Sequence, residues 1–197
     1  MEDAIEQLEK VARNVGDCTL CDELVACRFR AVPGDGHPHC AVMVVSLHPD
    51  PSDEAAGRPA GSSALDGLAE YMPALNTSAD KVYVTTLMKC VPRTGCDVRE
   101  PHTREQDNCF PFLSRELTIT TPHYLLTVGE QTTRYVLRKL FKDLPYERGD
   151  SLELRLFDNP AFKILPVATP EELAGRDTKA RKEYAERLRA LAQAIGL

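Results

Sequence analysis

Seven cysteines stand in this 197-residue chain: Cys18, Cys21, Cys27, Cys40, Cys90, Cys96 and Cys109. Cys18 and Cys21 form CTLC, a C-x-x-C. That spacing sets two thiolates on one metal ion or one edge of an iron–sulfur cluster. Two further cysteines would complete a four-thiolate site, and spacing alone leaves their choice open among the other five. The plainer alternative is a free or redox dithiol, with the remaining cysteines packed as small hydrophobes. A second group lies in AVMVVSLHPDPSDEAAGRP, residues 41–59. An apolar run stops at His48 and Pro49, and Asp50, Asp53 and Glu54 follow. A neutral imidazole accepts a proton from water near pH 7, and nearby carboxylates can orient it or balance a developing cation. The plainer reading is a histidine that caps a strand end and bonds to backbone. It is preferred, because one polar residue is not a site.

The elements that must position these groups follow from hydrophobic patterning. Four apolar stretches read as buried strands: 40–47, 81–88, 123–129 and 162–168. Helical patterns at 62–75, 103–117, 130–141 and 170–195 follow them in turn. Strands alternating with helices predict an α/β fold of three layers, with a central four-stranded parallel sheet covered on both faces. A short edge strand is expected at 152–157. No repeat and no Gly/Ser-rich linker divides the chain, so residues 1–197 are expected to form one domain. Ligands of open parallel sheets sit beyond the carboxyl ends of the strands. Those ends are 46–50, 85–89, 129–130 and 168–170, and His48 belongs to the set.

Composition narrows the class. The net charge of −6 argues against a wholly nucleic-acid-binding surface, though not against a local basic face. No apolar run is long enough to cross a membrane. The N-terminal MEDAIEQLEK is acidic and amphipathic, unlike a secretory signal, so a cytoplasmic location is expected. In that setting cysteines read as metal ligands, catalysts or core filling before disulfides. There is no Walker loop, no G-x-G-x-x-G and no G-x-S-x-G.

CTLCDELVACRFRAVPGDG resembles the N-terminal segment of the family-four, iron–sulfur uracil-DNA glycosylases, which carry C-x-x-C, an Arg and Val-x-Gly-x-Gly. The similarity continues in order through GRP at 57–59, VYVTTLMKCVP, PHTREQDNCFPFL and PHYLLTVGEQTTRYVL, most of the chain. It implies a uracil-DNA-glycosylase-like fold, DNA as partner and a link to DNA repair. It also implies that Cys18, Cys21, Cys90 and Cys109 hold a structural [4Fe–4S] cluster, with Cys27, Cys40 and Cys96 outside it. Zinc in the same four thiolates is the alternative. Residues around 94–98 lengthen the loop between Cys90 and Cys109 relative to the family pattern.

The family's pocket motifs depart in this chain. The water-handling Glu of the family becomes Leu47, the aromatic that stacks on uracil becomes Ala60, the uracil-reading Asn becomes Thr86, and the late His-Pro becomes Thr169-Pro170. Ordinary uracil excision is therefore not expected. In other branches of the superfamily the third motif position handles water, and His48 falls there, with Asp50 and Asp53 close in sequence. Thr169 also reads as the N-cap of a capping box, T-P-E-E, which explains it without function. Pro49 and Ser52 lie in a loop that related enzymes use to pinch the DNA backbone. Arg58 is expected to contact phosphate or, preferably, to pair with Glu54. Leu173 lies where related enzymes place a wedge, and a core contact is the preferred reading. Lys89 and Arg93 contact phosphate or balance cluster charge. Three functions follow: a DNA-binding repair protein without ordinary uracil excision, acting on single-stranded or damaged DNA; an N-glycosylase for a different or modified base using His48; or a non-enzymatic module that binds a protein partner.

Overall fold

The computed structural model describes residues 2–59, 81–95 and 97–196. The predicted helix at 62–75, together with Ala60 and Cys96, lies outside those residues. Two helices open the chain, α1 (Glu2–Gly16) and α2 (Asp22–Cys27), and then β1 (Asp35–Gly36), β2 (Val42–Ser46) and α3 (Pro51–Ala56). There follow β3 (Val82–Thr86), a hairpin of β4 (Arg93–Thr94) and β5 (Asp97–Val98), and α4 (Thr103–Thr120). The remainder is β6 (Tyr124–Val128), α5 (Glu130–Leu140), β7 (Phe157–Asp158), β8 (Lys163–Val167), α6 (Pro170–Ala174) and α7 (Thr178–Ile195).

The main sheet has the order β1-β3-β2-β6-β8-β7. The four predicted strands form its parallel centre, in register through Val44↔Val84, Val44↔Leu126 and Leu126↔Leu165. The two edge strands, β1 and β7, are short and antiparallel. Alternation along β2 sorts its side chains between two cores. Val42 and Val44 pack with Leu173 and with Tyr184, Leu188 and Ala192 of α7. Met43 and Val45 pack with Leu113 and Leu117 of α4 and with Tyr135, Val136 and Leu137 of α5. Helices thus cover both faces, the three-layer arrangement expected of a buried parallel sheet.

Three boundaries differ from the sequence expectation. The helix predicted over 170–195 is broken into α6 and α7. Gly175 ends the first, and Asp177 starts the second by accepting from the Ala180 amide at 2.8 Å. A local cap thus overrides the helical periodicity. The edge strand predicted at 152–157 shrinks to Phe157–Asp158, because Leu154 adopts a left-handed conformation, φ 56°, that a strand cannot hold. The proline-rich stretch 46–52, which reads as a loop or an exposed turn, runs at its end into a helix over Pro51–Ala56. Asp50 caps it and Pro51 occupies its first turn, where a missing N–H costs nothing.

Candidate functional site

Beyond the carboxyl ends of β2, β6 and β8 lies a cavity of about 530 Å³. Ser46, Leu47, His48, Asp50 and Asp53 line it from the β2–α3 turn. Val128, Gly129, Glu130 and Gln131 line it from the β6–α5 turn, Thr169 to Glu172 from the start of α6, and Glu100 from the segment after β5. Gly129 makes the convergence possible. Its φ is 82°, and a Cβ there would lie 2.8 Å from Thr169 Cγ2. Its amide donates to Val167 O at 2.8 Å, so the ends of β6 and β8 close on each other only without a side chain.

His48 is half-buried, and its Nδ1 lies 2.9 Å from Pro49 O. A carbonyl only accepts, so Nδ1 is the donor of this bond. The side chain therefore has the backbone bond of the plainer reading and also borders the cavity. Asp50 and Asp53 are engaged in capping α3. Asp50 Oδ1 accepts from the amides of Ser52 and Asp53 at 2.7 and 2.8 Å, and Asp53 Oδ2 accepts from the Asp50 amide at 3.1 Å. The Ser52 hydroxyl donates to Asp50 Oδ1 at 2.6 Å. Thr169 forms the T-P-E-E capping box: its Oγ1 accepts from the Glu172 amide and Glu172 Oε2 accepts from the Thr169 amide.

The wall of the cavity is acidic. Asp50, Asp53, Glu100, Glu130, Glu171 and Glu172 line it, and no Lys or Arg does so among the described residues. Glu130 is paired with Arg134 at 2.6 Å. Such a wall repels phosphate and accepts a neutral or cationic group. Glu171 and Glu172 follow the strand end expected at 168–170, and Glu100 carries no signal in the sequence at all.

Several residues singled out from the sequence lie elsewhere. Thr86 is buried, and its hydroxyl donates to Met88 O. Leu173 is a core contact of α7, and Pro49 is buried. Arg58 does not pair with Glu54. Its Nη1 lies 3.5 Å from Asp35 Oδ2, because Arg93 takes Glu54 instead, at 2.7 Å and nearly buried. Lys89 cannot reach phosphate: it is 1% exposed and bound to Glu116 Oε2 at 2.8 Å.

Away from the cavity, Cys90 and Cys109 are buried in an apolar cluster with Val11, Val15, Leu24 and Met88, and Cys21 packs against it. Burial pushes the Cys109 thiol up to about 12. Burial also raises Cys90, opposed by the Arg28 guanidinium and reinforced by Cys18 and Cys21 nearby. Two donors address the sulfurs. Arg28 Nη1 lies 3.3 Å from Cys90 Sγ, and Asn108 Nδ2 lies 3.4 Å from Cys21 Sγ. Arg28 Nη2 also donates to Cys18 O at 2.7 Å, which ties the C-x-x-C to the loop after β3. Among the described residues no three His, Cys, Asp or Glu side chains converge as one ion would require. Cys90 feels Cys18 and Cys21, and Cys109 feels Cys90 and Cys21, so the four sulfurs share one neighbourhood in which the two N–H donors would offset negative charge on sulfur. Cys40 is separate, buried in the core with its thiol pushed up to about 11 by burial.

A profile described as the uracil DNA glycosylase superfamily matches residues 33–192. The chain belongs to the uracil-DNA glycosylase superfamily. Within that superfamily it is similar to proteins named type-4 uracil-DNA glycosylase. The one from Sulfurisphaera tokodaii is 31% identical over 75% of this chain and 67% of its own length. The one from Saccharolobus solfataricus is 29% identical over 69% of this chain and 62% of its own. The one from Archaeoglobus fulgidus is 22% identical over 98% and 95%. The chain thus spans about two thirds of the first two relatives and nearly all of the third. No described helix is long and apolar enough to cross a membrane.

Proposed function

We propose that this superfamily member is a DNA-binding repair protein that takes an everted base into the cavity above β2, β6 and β8, without ordinary uracil excision. The observation that carries this reading is Thr86. By the resemblance it takes the place of the uracil-reading amide, and its buried hydroxyl is committed to Met88 O. A site built to read a base edge loses most of its selectivity when that partner is missing. Cys18, Cys21, Cys90 and Cys109 would hold a [4Fe–4S] cluster that fastens the N-terminal segment to the sheet and supplies no redox step to base recognition. A second reading has one observation of its own: His48 lines the cavity with Nδ1 tied to Pro49 O, and in the neutral tautomer its Nε2 would take a proton from water during attack on the sugar of a different base.

The test is incubation of the iron-loaded protein with single-stranded DNA containing uracil, then with a panel of damaged bases, beside His48→Ala. DNA binding without uracil release is expected. Efficient uracil release overturns the first reading. Release of another base by wild type, lost by at least about tenfold in His48→Ala, establishes the second. A colourless protein carrying zinc overturns the cluster assignment, since iron–sulfur protein is brown and contains iron.

A further inference from the structure

Phe29 is the most exposed large apolar side chain among the described residues, at 73%. Scattered surface apolar groups are ordinary, but this one is held in place. Its amide donates to Glu54 Oε1 at 3.0 Å, and Glu54 is itself buried and paired with Arg93. Arg30 covers one face of the ring, its guanidinium carbon 4.7 Å from the centroid. Arg30 in turn lies across Gly57, the C-cap of α3. Gly57 has φ 74°, and a Cβ there would sit 2.8 Å from Arg30 Nη1. Arg58 follows immediately, exposed beside Asp35. An exposed aromatic ring backed by one guanidinium, on a backbone anchored to Glu54, therefore sits at the C-terminal end of α3, where Arg58 follows in sequence. The N-terminal end of the same helix carries Asp50 and Asp53 of the cavity.

We propose that Phe29 and Arg30 form a stacking platform for an unpaired base of a single DNA strand whose neighbour enters the cavity. The inference rests on the DNA-binding reading above. Charge complementarity selects the occupant. The cavity wall repels phosphate, whereas Arg30 and Arg58 attract it, so the strand would run along α3 from its acidic end to its basic end. α3 has six residues, about 9 Å at 1.5 Å per residue. Stacked bases repeat every ~3.4 Å along one strand, so the platform would receive a base about two to three steps from the everted one. Base–aromatic stacking tolerates any sequence because every base has a π-face, and a guanidinium on the opposite face strengthens it.

The experiment uses the full-length, iron-loaded chain with two probes, a 12-nucleotide thymidine strand and a 12-residue abasic strand with the same backbone, at one fixed salt concentration. Phe29→Ala is expected to weaken binding of the thymidine strand about tenfold and to leave the abasic strand within about twofold. The chain contains no tryptophan, so Phe29→Trp supplies a single emission reporter, which the thymidine strand should quench and the abasic strand should not. Arg30→Gln should weaken both strands. Equal affinity of wild type and Phe29→Ala for thymidine overturns the platform, as does equal loss on both strands. So does unquenched Phe29→Trp emission when anisotropy shows saturation. If the wild type binds neither strand, the DNA-binding reading itself fails.

Discussion

Lys89 precedes a candidate cluster cysteine and is enclosed on every side. Its Nζ donates to Glu116 Oε2 at 2.8 Å, to Thr85 Oγ1 at 2.5 Å and to Thr86 O at 2.9 Å. The other Glu116 oxygen accepts from the Gly34 amide at 3.1 Å. One buried carboxylate thus joins α4, the end of β3 and the segment after α2, the parts of the chain that carry or adjoin Cys109, Cys90 and the C-x-x-C. Breaking a buried pair by removing one partner strands the other charge and costs about 3–5 kcal/mol, whereas replacing both with apolar residues is often neutral. Lys89→Met should therefore lower the urea midpoint strongly, and the double variant Lys89→Met, Glu116→Leu should recover most of the loss. If the single variant is as stable as wild type, the pair does not have this role.

At the scale of elements, the β4–β5 hairpin is bound to its neighbours by two arginines. Arg93 reaches Glu54 on α3, and Arg99 forks onto Glu105 in the first turn of α4 at 2.6 and 2.9 Å. Glu105 Oε2 also accepts from the His102 amide at 2.8 Å, half of a capping box. Burial raises the Glu105 carboxyl, but Arg99 and the His102 amide outweigh it and hold the group below its ordinary value. A depressed carboxyl pKa contributes stability that is fully present above the unfolded value and is lost as pH falls through the folded one. Arg99→Ala should thus be destabilising at pH 7. Its difference from wild type should shrink as pH drops below about 4, near the ordinary Glu pKa. Denaturant melts of both proteins at several pH values check this. A difference that stays constant with pH would show that Arg99 acts through packing alone.

For the whole molecule, the four candidate ligands are drawn from the α1–α2 link, the loop after β3 and the middle of α4. A group that closes such long loops stabilises by limiting the unfolded chain, and metal binding is then coupled to folding. Oxidative loss of iron should lower the melting temperature and expose residues 17–30 to limited proteolysis, while the parallel sheet keeps its circular dichroism. Cys109→Ala should lose bound iron. Cys40→Ala, in a separate core, should retain it, and equal iron content in the two variants would disprove the ligand set.

Much of this was legible in the sequence. The four central strands announced themselves because a parallel strand buried on both faces must be apolar along its length, as in AVMVVS and HYLLTV. The position of His48 at a strand end followed from the same runs, and the capping box at Thr169 was readable because its partners lie within three residues. The N-terminal C-x-x-C was readable as a pair of neighbouring cysteines by local spacing. What required the tertiary structure were pairings between distant residues. Nothing near Arg58 or Arg93 in sequence says which of them reaches Glu54, and Lys89 looks like a surface cation until Glu116, from another helix, is placed beside it. The acidic character of the cavity arises only when Glu100, Glu130 and Glu171 are brought together from separate turns. Hydrophobic periodicity is a local property that one stretch of chain expresses alone. Electrostatic partnership depends on distances that exist only after the chain has folded.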